Sequence, residues 1–224
     1  MEIVLGGVPL FSALDAEGAA ALRASMQDLR FGKGDVVFSE GDDGDRLYVV
    51  SDGKIKLGHA ASDGRETLLA VMGPGDMFGE LSLFDPGPRT ATATALTDTV
   101  LLGLSHQALR PWLTGRPEVA EALLQALAQR VRRTNDNLSE LVFSDVPGRV
   151  AKALLDLGEK FGESRADGLF VEHDLTQEEL AQLVGASRET VNKALADFVA
   201  RGWIRLESRS VTITDLDRLQ RRAR

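Results

Sequence analysis

The sequence predicts an α+β chain: an N-terminal β-roll of the jelly-roll kind, one long helix, and a C-terminal winged helix-turn-helix. Three observations predict it. Short apolar runs separated by glycine turns fill about Asp28 to Leu104, one amphipathic pattern runs unbroken from Pro117 to Phe143, and two helical patterns meet at Gly185 before a final hairpin. About eight short strands with turns every ten or so residues suit a barrel or jelly roll, because closing or stacking the strands buries one face of each.

The elements follow in chain order. Asp15 to Met26 places small and apolar residues at helical spacing behind Asp15, whose carboxylate suits an N-cap. Strands are expected at Val36–Phe38, Arg46–Val50, Lys54–Leu57 and Thr67–Val71, and as one run from Thr90 to Leu102. Asp52-Gly53 and Asp63-Gly64 are hairpin signals, since the turn needs positive φ and these residues adopt it at little cost. In the long helix Leu124, Leu127, Val131, Thr134, Leu138 and Leu141 alternate at spacings of three and four, a seam of nearly three heptads. Such a seam packs on its own domain or on a second helix; the polar Thr134 within it points to a dimer interface with another task.

Ser144-Asp145-Val146-Pro147 ends the long helix, because Pro147 disfavours helical dihedrals at Val146 while Asp145 can cap a new helix. The expected division is 1–116 for the β-domain with its helical lead-in, 117–143 for a dimerisation helix, 144–146 for a hinge containing Ser144 and Asp145, and 147–224 for the C-terminal domain. In that domain helices are expected over Pro147–Phe161, Thr176–Val184 and Ser187–Arg201, with an extended segment at Leu169–His173. A hairpin over Trp203–Ile213 follows, with Trp203 at its base in the core, and Arg221-Arg222-Ala223-Arg224 reads as a frayed, solvated tail.

Composition excludes several chemistries. With no cysteine, thiolate metal sites, iron–sulfur clusters and cysteine nucleophiles are ruled out. His59, His106 and His173 lie far apart, so neither a metal site nor a haem ligand is expected. Phosphate-loop, dinucleotide and nucleophile-elbow motifs are absent, which argues against an enzyme. No run approaches the roughly 18 apolar residues of a membrane span, and Met1 to Phe11 lacks a basic segment followed by a long apolar one, so a cytoplasmic location without membrane contact is expected. The net charge of −8 speaks against nucleic acid at first sight, yet residues 1–146 hold 13 basic and 21 acidic groups while 147–224 hold 13 of each. A neutral segment is not a basic patch, so recognition of DNA must rest on particular side chains.

Leu175 to Lys193 supplies them. Thr176 and Glu179 have capping-box spacing, Leu180, Ala181 and Val184 form an inner face, Gly185 permits a tight turn, and Ser187 caps the second helix. Arg188, Glu189 and Lys193 then project from the first turns of that helix, where base edges of double-stranded DNA are met in a major groove. An arginine fork can bond guanine O6 and N7, and a carboxylate can accept from cytosine N4. The alternative is a plain surface helix with Glu189 and Lys193 as an i,i+4 pair. The stretch from Leu175 to Ala196, with Ser187-Arg188-Glu189-Thr190-Val191 at its centre, resembles the DNA-binding signature of the cyclic AMP receptor protein group of bacterial regulators, of the type found in high-GC bacteria. The likeness extends over essentially the whole chain. It implies that Thr176, Ser187, Arg188, Glu189, Thr190, Asn192 and Lys193 meet DNA, that a homodimer binds a pseudo-palindromic operator, and that RNA polymerase is a further partner. Asn192 stands where the best-studied member has glycine.

Phe78 to Ala93 is similar to the phosphate-binding cassette of cyclic-nucleotide-binding domains, which makes the β-roll the expected ligand domain. A cyclic phosphate is a compact monoanion; Gly79 and the amides of Leu81 and Ser82 can form an anion nest that Arg89 and Thr90 close. Glu80 would accept from the ribose 2′-hydroxyl, the alternative being a structural ion pair with Arg89. By the same resemblance Thr134 and Asn135 reach the adenine ring, the alternative for Thr134 being a register-setting polar residue. The resemblance names cyclic AMP as allosteric ligand and implies no cofactor. A cupin-like enzyme would need clustered histidines, and a pure sensor would lack the helix-turn-helix. Whether the ligand controls DNA binding, or the chain binds DNA largely independently of cyclic nucleotide, stays open.

Overall fold

The computed structural model describes residues 8, 11, 14–60, 66–85 and 87–223; the expected turn at Asp63-Gly64 lies outside them. The chain forms two compact units, residues 1–60 with 69–133 and residues 61–68 with 134–224.

In the first unit α1 (Ala16–Ala24) is capped as expected by Asp15, whose Oδ1 accepts from Gly18 N at 2.8 Å. Among the described residues eight strands follow: β1 (Gln27–Phe31), β2 (Val36–Phe38), β3 (Arg46–Asp52), β4 (Ile55–Ala60), β5 (Glu66–Met72), β6 (Met77–Phe78), β7 (Thr92–Ala95) and β8 (Thr99–Ser105). They form two four-stranded sheets, in the orders β1-β8-β3-β6 and β2-β7-β4-β5. The central β3 and β8 are buried on both faces. Leu47, Val49, Leu102 and Leu104 pack with Leu22 of α1 and with helices further on, while Tyr48, Val50 and Leu101 pack with Ile55, Leu57, Phe78 and Ala93 of the other core. Two-sided burial is why these strands read as continuous apolar runs and not as alternation.

The single strand expected from Thr90 to Leu102 is a misreading. It is two strands, β7 and β8, that belong to different sheets. Between them Thr97 Oγ1 accepts from Lys54 N at 2.9 Å and Asp98 Oδ1 from Lys33 N at 3.0 Å. Short polar side chains that bond backbone in this way end a ladder.

Three helices complete this part of the chain: α2 (Leu81–Phe84), α3 (His106–Gly115) and α4 (Pro117–Phe143). Val119 and Leu123 of α4 and Leu109 of α3 enter the first core.

The second unit contains α5 (Val146–Phe161), β9 (Gly162–Arg165), β10 (Gly168–Glu172), α6 (Gln177–Val184), α7 (Arg188–Ala200), β11 (Ile204–Leu206), β12 (Ser210–Ile213) and α8 (Leu216–Arg222). The strands form one antiparallel sheet, β11-β12-β10-β9. Asp145 caps α5 with Pro147 in its first turn, as its sequence predicts. Trp203 is half-buried and stacks on Phe198 at 5.5 Å.

The basic tail is not frayed. Leu216–Arg222 is helical, Leu219 is fully buried, and Arg222 pairs with the Asp145 carboxylate at 2.6 Å. Burying one leucine contributes on the order of 1.5–3 kcal/mol, and that anchor lies upstream of the arginine run that suggested disorder. Arg224 is outside the described residues. No helix among the described residues is long and apolar enough to cross a membrane.

Candidate ligand pocket and nucleic-acid interface

The β-roll brings the cassette residues to one cleft. Phe38, Leu57, Gly79, Leu81, Ser82, Arg89, Thr90 and Arg130 line it. Gly79 has φ +75°, and a Cβ there would lie 2.8 Å from Arg89 Nη1, so both conformation and space call for glycine. Arg89 is buried. Its Nη1 donates to Gly79 O at 2.6 Å and to Ser82 Oγ at 3.0 Å, and its Nη2 to Arg46 O at 2.9 Å. The guanidinium also lies 4.3 Å from the Phe38 ring centroid. Burial lowers the pKa of Arg89, opposed mainly by the charges of Tyr48 and Asp45.

Glu80 does not pair with Arg89. Its Oε1 accepts from Arg130 Nη1 of α4 at 2.6 Å, although the carboxyl side chain is only 2 % exposed and that of Arg130 is 42 % exposed. Two buried polar atoms of the cassette have no hydrogen-bond partner among the described residues: Glu80 Oε2, an acceptor, and Arg89 Nε, a donor. Sequence reasoning overlooked Arg130; its position four residues before Thr134, one turn along the same helix, was the available signal. Thr134 and Asn135 are exposed on α4 within the second unit. A wider depression on α3, bounded by His106, Gln107, Arg110, Pro111 and Thr114, has only exposed residues around it and no converging buried polar group.

In the second unit the helix-turn-helix forms as its spacing predicts. Thr176 caps α6 with the full capping box: Thr176 Oγ1 accepts from Glu179 N at 3.1 Å, and Glu179 Oε2 accepts from Thr176 N at 2.8 Å. Gly185 closes α6 in the left-handed region, and Ser187 Oγ accepts from Thr190 N at 3.3 Å to cap α7. Arg188, Glu189, Thr190 and Lys193 are exposed on α7, whereas Asn192 is half-buried. Glu189 and Lys193 do form the i,i+4 pair, at 2.9 Å on an open surface. Such a pair is worth a few tenths of a kcal/mol, so it leaves both side chains available to another partner. Arg149, also overlooked, donates to Val184 O at 3.0 Å and to Ser144 O at 2.8 Å, tying the turn to the helix break.

A β-roll whose cleft encloses a buried arginine, followed by a capped helix-turn-helix, defines a ligand-binding regulator of transcription. Residues 28–114 match the cyclic nucleotide-binding domain family and residues 148–222 the Crp-like helix-turn-helix domain family. Over its whole length the chain is 57 % identical to a CRP-like cAMP-activated global transcriptional regulator of Mycobacterium tuberculosis, all of which it covers. It is 36 % identical to a cyclic AMP receptor protein of Thermus thermophilus over 93 % of this chain and 94 % of that one. Among solved structures it is similar, at a TM-score of 0.76 and 28 % identity, to the c-di-GMP responsive global regulator CLP of Xanthomonas campestris, covering 89 % of this chain and 99 % of that one. The chain belongs to the CRP family of DNA-binding transcriptional regulators, and is not an enzyme.

Proposed function

We propose that the chain is a cytoplasmic, cyclic-AMP-responsive regulator that acts as a homodimer on a pseudo-palindromic operator and engages RNA polymerase there. The observation that carries the ligand is that the cassette holds two buried orphans of complementary kind: Glu80 Oε2 can accept from a hydroxyl and Arg89 Nε can donate to an oxyanion. A ribose 2′-hydroxyl and a cyclic phosphate present those two groups side by side. Gly79 and the amides of Leu81 and Ser82 cradle the phosphate, Arg89 and Thr90 close on it, and Thr134 and Asn135 take the base. The cleft holds about 30 Å³, room for a water or two, so the nucleotide enters as the exposed rim of Leu81, Pro88 and Thr90 moves outward. Because Oε1 stays with Arg130, a ribose on Oε2 is joined through Glu80 to α4. Thr176, Ser187, Arg188, Glu189, Thr190, Asn192 and Lys193 form the DNA surface, and Ser144 and Asp145 the hinge.

The dimer reading rests on the seam of α4, where Leu124, Val131 and Leu138 are 66 %, 59 % and 57 % exposed in the single chain. A second copy of the same helix covers such a stripe. Sedimentation of Leu138→Glu should show monomer where the unmodified protein is dimer.

Calorimetry tests the ligand. Cyclic AMP should bind, and Arg89→Lys should weaken it by about tenfold or more, since one ammonium cannot replace a fork bonded to three acceptors. Operator affinity should then rise with cyclic AMP. Equal affinity with and without it identifies a ligand-independent regulator, and a rise with cyclic di-GMP alone identifies a different effector.

A further inference from the structure

The last helix reaches back to the hinge. Arg222 of α8 sets Nη2 at 2.8 and 2.6 Å from Oδ1 and Oδ2 of Asp145, a residue 77 positions earlier. Asp145 is the N-cap of α5, and its Oδ1 also accepts from Gly148 N at 2.9 Å. The approach is close: a Cβ on Gly148 would lie 3.0 Å from Asp145 Oδ1 and 3.4 Å from Arg222 O. Leu219, one turn earlier in α8, is fully buried, so the helix that presents Arg222 is anchored independently of the ion pair. The Arg222 bond, followed by the Gly148 amide, holds the Asp145 carboxyl below its ordinary range. Across the break Arg149 fixes Ser144 O at 2.8 Å, and Lys152 Nζ lies 3.4 Å from Glu140 of α4.

We propose that Arg222 is a positioning residue of the hinge: by holding the Asp145 cap it keeps the first turn of α5 closed and confines the pivot to the backbone between Ser144 and Asp145. Without it the cap loosens, the first turn frays, and the connection between α4 and α5 lengthens. A longer connection dissipates any movement that a ligand imposes on α4. That consequence rests on the ligand-responsive reading above, whereas the closing of the α5 turn does not. The pair is partly open to solvent, with Arg222 32 % and Asp145 63 % exposed, so its effect is severalfold and no more.

The test uses the full chain with Arg222→Ala, Asp145→Asn, which retains a capping side chain, the double variant, and Arg222→Lys. Backbone amide exchange at Gly148 and Arg149 is measured, together with operator affinity with and without cyclic AMP at one salt concentration. Each single variant should speed exchange by about two- to fivefold, the double should add nothing further, and Arg222→Lys should restore part of the loss. The ratio of the two operator affinities should fall by a similar factor, while cyclic AMP affinity without DNA is unchanged. Unaltered exchange in Arg222→Ala overturns the proposal. So does a lowered melting temperature with an intact ratio, which is a merely structural role. Equal losses of operator affinity with and without ligand, with a shallower salt dependence, overturn it too and make Arg222 a phosphate contact. If the unmodified protein itself shows a ratio near one, the ligand-responsive reading fails, and exchange at Gly148 alone decides the hinge.

Discussion

Glu80 gives one oxygen to Arg130, at 2.6 Å, and keeps the other buried without a partner among the described residues. The pair joins the cassette to the long helix, and its two sides are unequal: the carboxylate is enclosed, the guanidinium half-open.

Removing the open side should therefore harm stability more than removing the enclosed charge. Breaking a fully buried pair costs about 3–5 kcal/mol, and the exposure of Arg130 scales that down, so Arg130→Ala is expected to lose about 1–3 kcal/mol in denaturant unfolding. Adding Glu80→Gln to that variant should recover part of the loss, because no bare carboxylate is left behind. The combined variant should still bind cyclic AMP less tightly, because the neutral amide oxygen of glutamine is a weaker acceptor for the ribose hydroxyl than the carboxylate it replaces. An additive loss in the double variant would show that the two side chains act separately.

Acid should act at the N-cap of α5. The carboxyl of Asp145 is held below its ordinary value by Arg222 first and the Gly148 amide next. A depressed folded-state pKa contributes stability above the unfolded value of about 4, and that contribution is lost as pH falls through the folded value. The stability gap between the unmodified protein and Asp145→Asn should be flat from neutral pH down to about pH 4 and close below it. A gap that persists unchanged at pH 2 would mean that the ionised cap is not its source.

The sequence was legible where one local pattern settles one element. The capping box of Thr176 and Glu179, the cap at Asp145 and the helix break before Pro147 all stand where nearby residues put them. It misled where the partner is remote. Thr97 and Asp98 end β7 by bonding Lys54 and Lys33, residues far upstream, so the run from Thr90 looked unbroken. Arg222 looked like tail because its partner lies 77 residues away. The cassette glycine and arginine could be picked out, but Arg130 belongs to another element, and the expected alternative partner of Glu80, Arg89, is bonded instead to Gly79, Ser82 and Arg46.

On α7 stability and recognition should separate. Glu189 and Lys193 form an open i,i+4 pair, so Lys193→Ala should change unfolding free energy by less than about 0.5 kcal/mol. Arg188→Ala should be equally mild for folding yet cost about 1–3 kcal/mol in operator binding and relax preference at one base pair of each half-site. Binding to a panel of single-base operator variants checks this. A uniform loss across the panel would make Arg188 a contact to phosphate.

The last expectation concerns how the two ligands speak to each other. Arg130, Thr134 and Asn135 share α4, and only Ser144 and Asp145 separate its end from the start of α5. On the proposed reading, in which Glu80 takes the ribose and Thr134 and Asn135 the base, the nucleotide would bind best to one arrangement of α4. A ligand shifts an equilibrium between two arrangements only by its difference in affinity for them, and typical couplings are about 1–3 kcal/mol, or roughly 5–150-fold. Linkage makes the effect reciprocal: operator DNA should tighten cyclic AMP binding by the factor with which cyclic AMP tightens operator binding. Changing Thr134 and Asn135 together to alanine should shrink both factors equally and leave ligand-free operator affinity within about twofold, because the lost contacts belong to the liganded state. Four affinities measured at one salt concentration close the square for each protein. If the ligand-free operator affinity falls as far as the liganded one, the two side chains serve the fold of the long helix and not the transmission of the signal.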